Sequence, residues 1–171
     1  MQYSMMLKEQ TVTKKAAATE DLVYARRILN DSILFRSLGD EKIHQLIALA
    51  SIRYLKKQEY IVRENDPVND FFVILRGQVK VLMLGKGGRA FTIDIYTQGN
   101  TFLSTSFFSG QPAWGSAMAM EPVALMHIPR KRFLPFIVAN PELTLVYLGY
   151  LSEGFGLAIR HIENCLTRKV D

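Results

Sequence analysis

QGNTFLSTSFFSGQPAWGSA, residues 98–117, sets two turn glycines, Gly99 and Gly110, around a loop rich in hydroxyls and aromatics. It interrupts a ladder of short runs built from β-formers. Tyr60 to Val62, Phe71 to Leu75, Val79 to Leu84 and Ala90 to Tyr96 come before it, Ser116 to Met120 and Val123 to Ile128 after it. Turn chemistry separates the runs at Glu64-Asn65-Asp66-Pro67, Gly77, Gly85-Lys86-Gly87-Gly88, Gln98-Gly99-Asn100 and Glu121-Pro122. Phe91, Ile93 and Ile95 alternate with Thr92, Asp94 and Tyr96, the pattern of a strand with one covered face. Strands at this spacing, with no helices between them, predict an antiparallel sandwich or roll in which the loop is embedded.

Helical periodicity lies on both sides of the ladder. Residues 1–19 are polar and unpatterned, a loose segment. From Glu20, Leu22, Ala25, Ile28 and Leu29 recur at helical spacing. A second helix is expected behind Asp40 as N-cap, with Ile43, Leu46, Ile47 and Ala50 on one face. Residues 20–139 thus make the body, helices plus roll, and end in a connector helix over Lys131 to Val138. Asn140-Pro141-Glu142 reads as N-cap, first-turn proline and an acid at the positive end of the dipole. The helix it starts, in the segment 140–171, runs to about Arg168. It carries Leu148, Leu151, Phe155, Ala158, Ile162 and Cys165 at alternating steps of three and four. Val146, Leu157, Ile159 and Leu166 make other faces apolar too. A helix apolar on several faces needs a second partner. The stripe therefore predicts a homodimer; packing on the roll alone is the other arrangement it allows.

At 171 residues, 49% hydrophobic and 22% charged, the chain has the size and composition of one globular domain. No apolar run reaches the ~18–20 residues that span a bilayer, and the N-terminus lacks an apolar signal core; no membrane partner is expected. A single cysteine, Cys165, fits a reducing, cytoplasmic setting. Net charge +5 is compatible with nucleic-acid contact, but the bases are scattered in small groups without a dense tract. G-x-S-x-G, H-E-x-x-H, P-loop and paired-carboxylate patterns are all missing, which argues against an enzyme.

In outline residues 98–117 resemble the phosphate-binding cassette of cyclic-nucleotide-binding domains, roughly G-D-x-F-G-E, a gap, then G-x-x-R-S-A. Gly99 and Asn100 fall on G-D, and Phe102 on the aromatic. Leu103 falls on the second Gly, Ser104 on the Glu that holds the ribose, and Gly115 on the Arg that pairs with the cyclic phosphate. Phe72 to Val81, hinged at Gly77, looks like the family's strand–glycine–strand signature. Two helices, an eight-stranded jelly roll (a double-stranded β-helix, mainly β with flanking helices) and a long C-terminal helix resemble the effector domain of CRP/FNR transcription regulators from about Leu34 to Arg168. The resemblance implies a sensory domain, dimeric through the long helix, which in the family leads into a winged helix-turn-helix. The chain stops at Asp171, too soon for three more helices, so DNA is expected as a partner only through a domain absent here. An excised sensor half and a natural one-domain protein both fit. The rival functions are a stand-alone dimeric interaction module that has lost sensing and a cyclic-nucleotide-regulated domain of a channel or kinase.

Both groups that read a cyclic nucleotide are replaced, so a small-molecule effector of another kind is expected. Its candidate pocket is Leu103, Ser104, Trp114, Gly115 and Ser116 on the cassette, with Phe155 and Arg160 of the long helix closing over it. Leu103 and Trp114 suit an apolar or aromatic effector; they equally suit filling the hole, and a cyclic nucleotide held by unusual contacts is the third reading. No resident cofactor is expected. Haem, which needs only one or two axial ligands, is the alternative. His161 and Cys165 stand four apart on one helical face, but two ligands do not make a structural metal site. His127, inside an apolar strand run, reads as a core or rim histidine, and Asp94 as the solvent face of its strand.

Overall fold

Apolar spacing winds residues 20–31 into helix α1, with Ala25, Ile28 and Leu29 buried and Leu22 half exposed. The structure, a computed structural model, describes residues 20–85 and 87–167. Helix α2, Gly39–Ala48, buries Ile43, Leu46 and Ile47. Its N-cap position is Leu38, not Asp40. Asp40 lies inside the first turn, where its carboxylate accepts from Arg26 and Asn30, and these bonds hold its pKa below the usual carboxylate value. The acid is spent on tying α1 to α2.

Seven strands follow among the described residues, one fewer than the resemblance implied: β1 Ser51–Leu55, β2 Tyr60–Val62, β3 Asp70–Arg76, β4 Val79–Leu84, β5 Ala90–Tyr96, β6 Ser116–Ala119 and β7 Val123–Pro129. They form two antiparallel sheets, ordered β1-β7-β3 and β2-β6-β4-β5. Strand β1 was not foreseen, because the helical spacing before it runs on without a turn residue. Strand β3 is a continuous buried run, Phe71 to Leu75. At Gly77, with φ of +87°, a Cβ would lie 2.6 Å from the Pro122 carbonyl oxygen, so only glycine passes between β3 and β4 there.

Strand β5 differs from its prediction. Its apolar residues Phe91, Ile93 and Ile95 alternate as expected, yet they are 50%, 52% and 47% exposed. β5 is the edge of its sheet, and nothing among the described residues covers it. Helix α3, Ser104–Ser109, sits inside the 98–117 stretch; α4 spans Arg130–Val138 and α5 spans Pro141–Thr167. The start of α5 packs on the roll through Leu143 and Tyr147, and beyond Leu151 the helix turns almost wholly to solvent. Among the described residues no single helix is long and apolar enough to cross a membrane.

Candidate functional site

Three local devices shape the 98–117 stretch. The first is a backbone clasp: the Gly99 N–H donates to the Ile74 carbonyl at 2.8 Å, and the Ile74 N–H to the Asn100 carbonyl at 3.1 Å. Asn100 Oδ1 closes the turn by accepting from the N–H and hydroxyl of Thr97. The second is Leu103, which is buried with φ of 52° and ψ of 21°. A left-handed γ-branched residue is uncommon, and it stands where the cassette pattern has glycine. The third is α3 itself. Its sequence STSFFS has little helical propensity, so neighbours must hold it. Gly110, with φ of 72°, ends it and donates to the Ser106 carbonyl. Arg130 caps its C-terminal end, donating to the carbonyls of Phe107 and Phe108 with its guanidinium over the Phe107 ring.

The second half of the stretch carries no charge-reading group. At Gly115 a Cβ would meet the Leu82 carbonyl oxygen at 2.9 Å and the side chains of Met83 and Val81 at 3.4 Å. Strand β4 is pressed against the position where the pattern has arginine, and this backbone has no room for a side chain there. The Ser116 hydroxyl accepts the Glu64 N–H at 2.9 Å, anchoring the turn after β2 to β6. Trp114 lies on the rim, 37% exposed, its indole N–H donating to Thr105 Oγ1 at 3.0 Å. It fills no internal hole.

Sequence reasoning missed the residues through which α5 meets this stretch. The Tyr147 ring lies 4.7 Å from Phe108, at the edge of a cluster in which Phe71 stacks on Phe133 at 4.2 Å and meets Phe107 at 5.4 Å. Leu143, Val146, Tyr147 and Tyr150 form a stripe at helical spacing that would have shown it, had the more distal heptads not drawn the eye. Leu103 and Ser104 thus stand at the start of α3 and Gly115 and Ser116 at the start of β6, the two halves being joined by the bonds of Trp114 to Thr105 and of the Ser106 hydroxyl to the Pro112 carbonyl. Phe155 and Arg160 lie about two turns or more farther along α5 and point to solvent in the single protomer. So do Leu148, Ala158 and Ile162, while Leu151 is half-buried. His127 Nδ1 lies 3.4 Å from Asp70 Oδ1 on the rim of the three-stranded sheet. The side chains of His161 and Cys165 lie outside the described residues.

The family described as cyclic nucleotide-binding domain matches residues 52–140, more than half of the chain. Human cGMP-dependent protein kinase 2 is 26% identical over 146 residues, 84% of this chain and 19% of that one. The global nitrogen regulator of Synechococcus elongatus is 26% identical over 122 residues, 70% of this chain and 53% of that one. The chain therefore spans about a fifth to a half of the curated relatives it matches. Among solved structures, the Thermus thermophilus catabolite activator protein superposes with a TM-score of 0.73 at 20% identity, over 78% of this chain and 63% of that one. The sensor domain of the Pseudomonas aeruginosa transcriptional regulator DNR gives 0.71 at 25% identity, over 82% of this chain and 95% of that one. The jelly roll, its embedded cassette and the long C-terminal helix agree with these likenesses, and the chain belongs to the cyclic nucleotide-binding domain family.

Proposed function

We propose that this chain is the cytoplasmic, effector-sensing domain of a dimeric CRP/FNR-type transcription regulator, and that its effector is not a cyclic nucleotide. The observation that carries the reading is Gly115, against which β4 leaves no space for a phosphate-pairing side chain. With neutral Ser104 in place of the ribose-holding carboxylate, two charge-assisted hydrogen bonds are gone, each worth about 1.5–3 kcal/mol. Together that is about two to four decades of affinity. The domain binds and does not catalyse, and it holds no resident cofactor, haem being the alternative. The names of its relatives, a nitrogen regulator and transcriptional regulators, support DNA as the output, contacted outside the residues described.

Dimerisation through α5 is supported by its exposed apolar stripe, and the uncovered face of β5 offers a second surface for the same copy. Phe155 and Arg160, solvent-facing in the single protomer, would meet the partner or an effector in that assembly. A ligand at the cassette would shift α3, which Arg130 ties to α4 and Tyr147 to α5. Such a link biases the position of α5 between two populations. Titration calorimetry with cyclic AMP and cyclic GMP tests the reading: no saturable heat is expected at micromolar ligand, and a low-micromolar dissociation constant for either overturns it. A thermal-shift screen of aromatic acids, haem and nucleotides then sorts ligand classes. Loss of sensing, leaving a dimeric interaction module, is favoured by one fact: Leu103 is buried, and the Phe107, Phe108 and Tyr147 rings pack on one another between α3 and α5. A reading frame that continues past Asp171 into a helix-turn-helix pattern speaks against that alternative.

A further inference from the structure

Asp31 is an acid at the unfavourable end of its helix. It closes α1, where the aligned peptide dipoles place their negative pole and a base would be preferred. Among the described residues its carboxylate has no hydrogen bond or ion pair. Other acids in this part of the fold are tied down: Asp21 accepts from the Tyr54 hydroxyl, and Asp40 from Arg26 and Asn30. Arg27, one turn back on α1, borders a separate groove beside Glu20, Val23 and Tyr24. The charge of Asp31 and the negative pole of α1 therefore lie together without compensation.

Asp31 borders a cavity of about 200 Å³ between the end of α1, the first cassette loop and α5. Ile28, Ile33 and Leu34 supply its apolar wall, and Ile33 is left 62% exposed there. Tyr150 borders the cavity from α5. Among the described residues no lysine, arginine or histidine lines it, and Asp31 is its single charged group. Its lining includes none of residues 103, 104, 114, 115 or 116, so it is separate from the charge-reading positions of the cassette. An apolar cavity of about 150 Å³ is enough to hold benzene, so this one admits a ring or a short hydrocarbon chain. A lone carboxylate and a helix C-terminus beside an apolar wall select positive charge on an apolar body.

We propose that this cavity binds a small primary amine, as its ammonium cation, carrying a short apolar or aromatic tail. The ammonium pairs with the Asp31 carboxylate at the rim, and the tail lies along Ile28, Ile33 and Leu34. Tyr150 offers the cation an aromatic neighbour. That tyrosine belongs to the last part of α5 that packs on the roll, because beyond Leu151 the helix turns to solvent. Occupancy therefore joins the end of α1, the Gly99–Asn100 turn clasped to β3, and α5 at the point where it leaves the body. The site stands on its own geometry; only its output rests on the effector reading above.

The test uses the whole chain at neutral pH, with phenethylamine, 2-phenylethanol and 3-phenylpropionate as probes of similar shape, followed by calorimetry and protein NMR. Phenethylamine is expected to bind about tenfold more tightly than the alcohol, because an exposed ion pair and a helix pole each add modestly. The carboxylate should bind more weakly than the alcohol. Asp31→Asn, nearly isosteric and at an exposed position, should bring the amine to the level of the alcohol and leave the alcohol unchanged. Ile33→Ser should weaken amine and alcohol alike, which locates the tail by a second route. Absence of saturable amine binding at millimolar concentration, an amine no tighter than the alcohol, or undiminished amine binding by Asp31→Asn overturns the proposal. A different ligand stabilising the chain while phenethylamine has no effect sinks this site and spares the effector reading. Amine binding with no change in dimerisation or in α5 signals supports the site and sinks the sensory output.

Discussion

Replacing both Phe155 and Ile162 with aspartate should convert the chain from dimer to monomer. In the single protomer these side chains are 70% and 58% exposed. Fully burying such a side chain is worth about 1.5–3 kcal/mol, so each has about 1–2 kcal/mol still to gain from a partner. Counted on both copies of a two-fold interface, the pair contributes about 4–8 kcal/mol, or about three to six decades in the dissociation constant. Aspartate forfeits that gain and adds the cost of desolvating a charge in the seam. Sedimentation velocity from low to high micromolar concentration reads the outcome directly. The parent should sediment as a dimer and the double variant as a monomer. Because both residues are solvent-facing in the protomer, the variant's roll should keep its folded spectrum. A parent that sediments as a monomer at high micromolar concentration refutes the reasoning, as does a double variant that dimerises like the parent. The apolar stripe would then have to serve something other than a second copy.

Three further outcomes are expected. Ser104→Glu with Gly115→Arg restores the family's residue types but should not restore cyclic-nucleotide binding. The clash with the Leu82 carbonyl costs about 1–3 kcal/mol of overpacking, a fall in melting temperature of about 2–12 °C by calorimetry. Arg130→Ala removes the donor to the Phe107 and Phe108 carbonyls. It should cost about 2–3 kcal/mol, and the helical signal of α3 should exchange its amides faster in hydrogen exchange. Tyr96 is pushed up to about 12, first by burial and then by Asp94. Below pH 10 both folded and unfolded chains keep this proton, so its contribution is complete. As pH rises from 10 toward 12 the unfolded chain ionises first and stability is lost. Urea unfolding of Tyr96→Phe across this window should show a shallower alkaline decline than the parent.

How much was legible varied with the kind of signal. Runs of β-formers between turn residues announced six of the seven strands, and Gly77, Gly99 and Gly110 marked turns that do require positive φ. The helical stripe of residues 20–31 and the proline-led start of α5 were equally plain. Strand β1 was hidden because Ile52 and Tyr54 continue an apolar rhythm already in progress, and its identity comes from pairing along β7. Helix α3 had no propensity to announce it. It exists because Leu103 turns the chain left-handed, Phe107 enters the aromatic cluster and Arg130 supplies partners for its last carbonyls.

The candidate site divides the same way. That positions 104 and 115 lack a carboxylate and a guanidinium is a matter of residue identity, and one-dimensional order was sufficient to show it. That Gly115 cannot accept a side chain is a matter of distance to β4, a neighbour more than thirty residues away in the chain. Trp114 was chosen for the pocket by its size, but its direction is set by the hydrogen bond to Thr105, which turns it to the rim. Local periodicity by itself determined the roll, the order of its elements and an α5 more apolar than one domain needs. Only the tertiary structure decided which apolar faces were covered, because alternation records that a face is apolar but not whether a neighbour is there. Thus β5 and the distal half of α5 stay open, and Thr101 and Tyr147 are buried side by side without a partner.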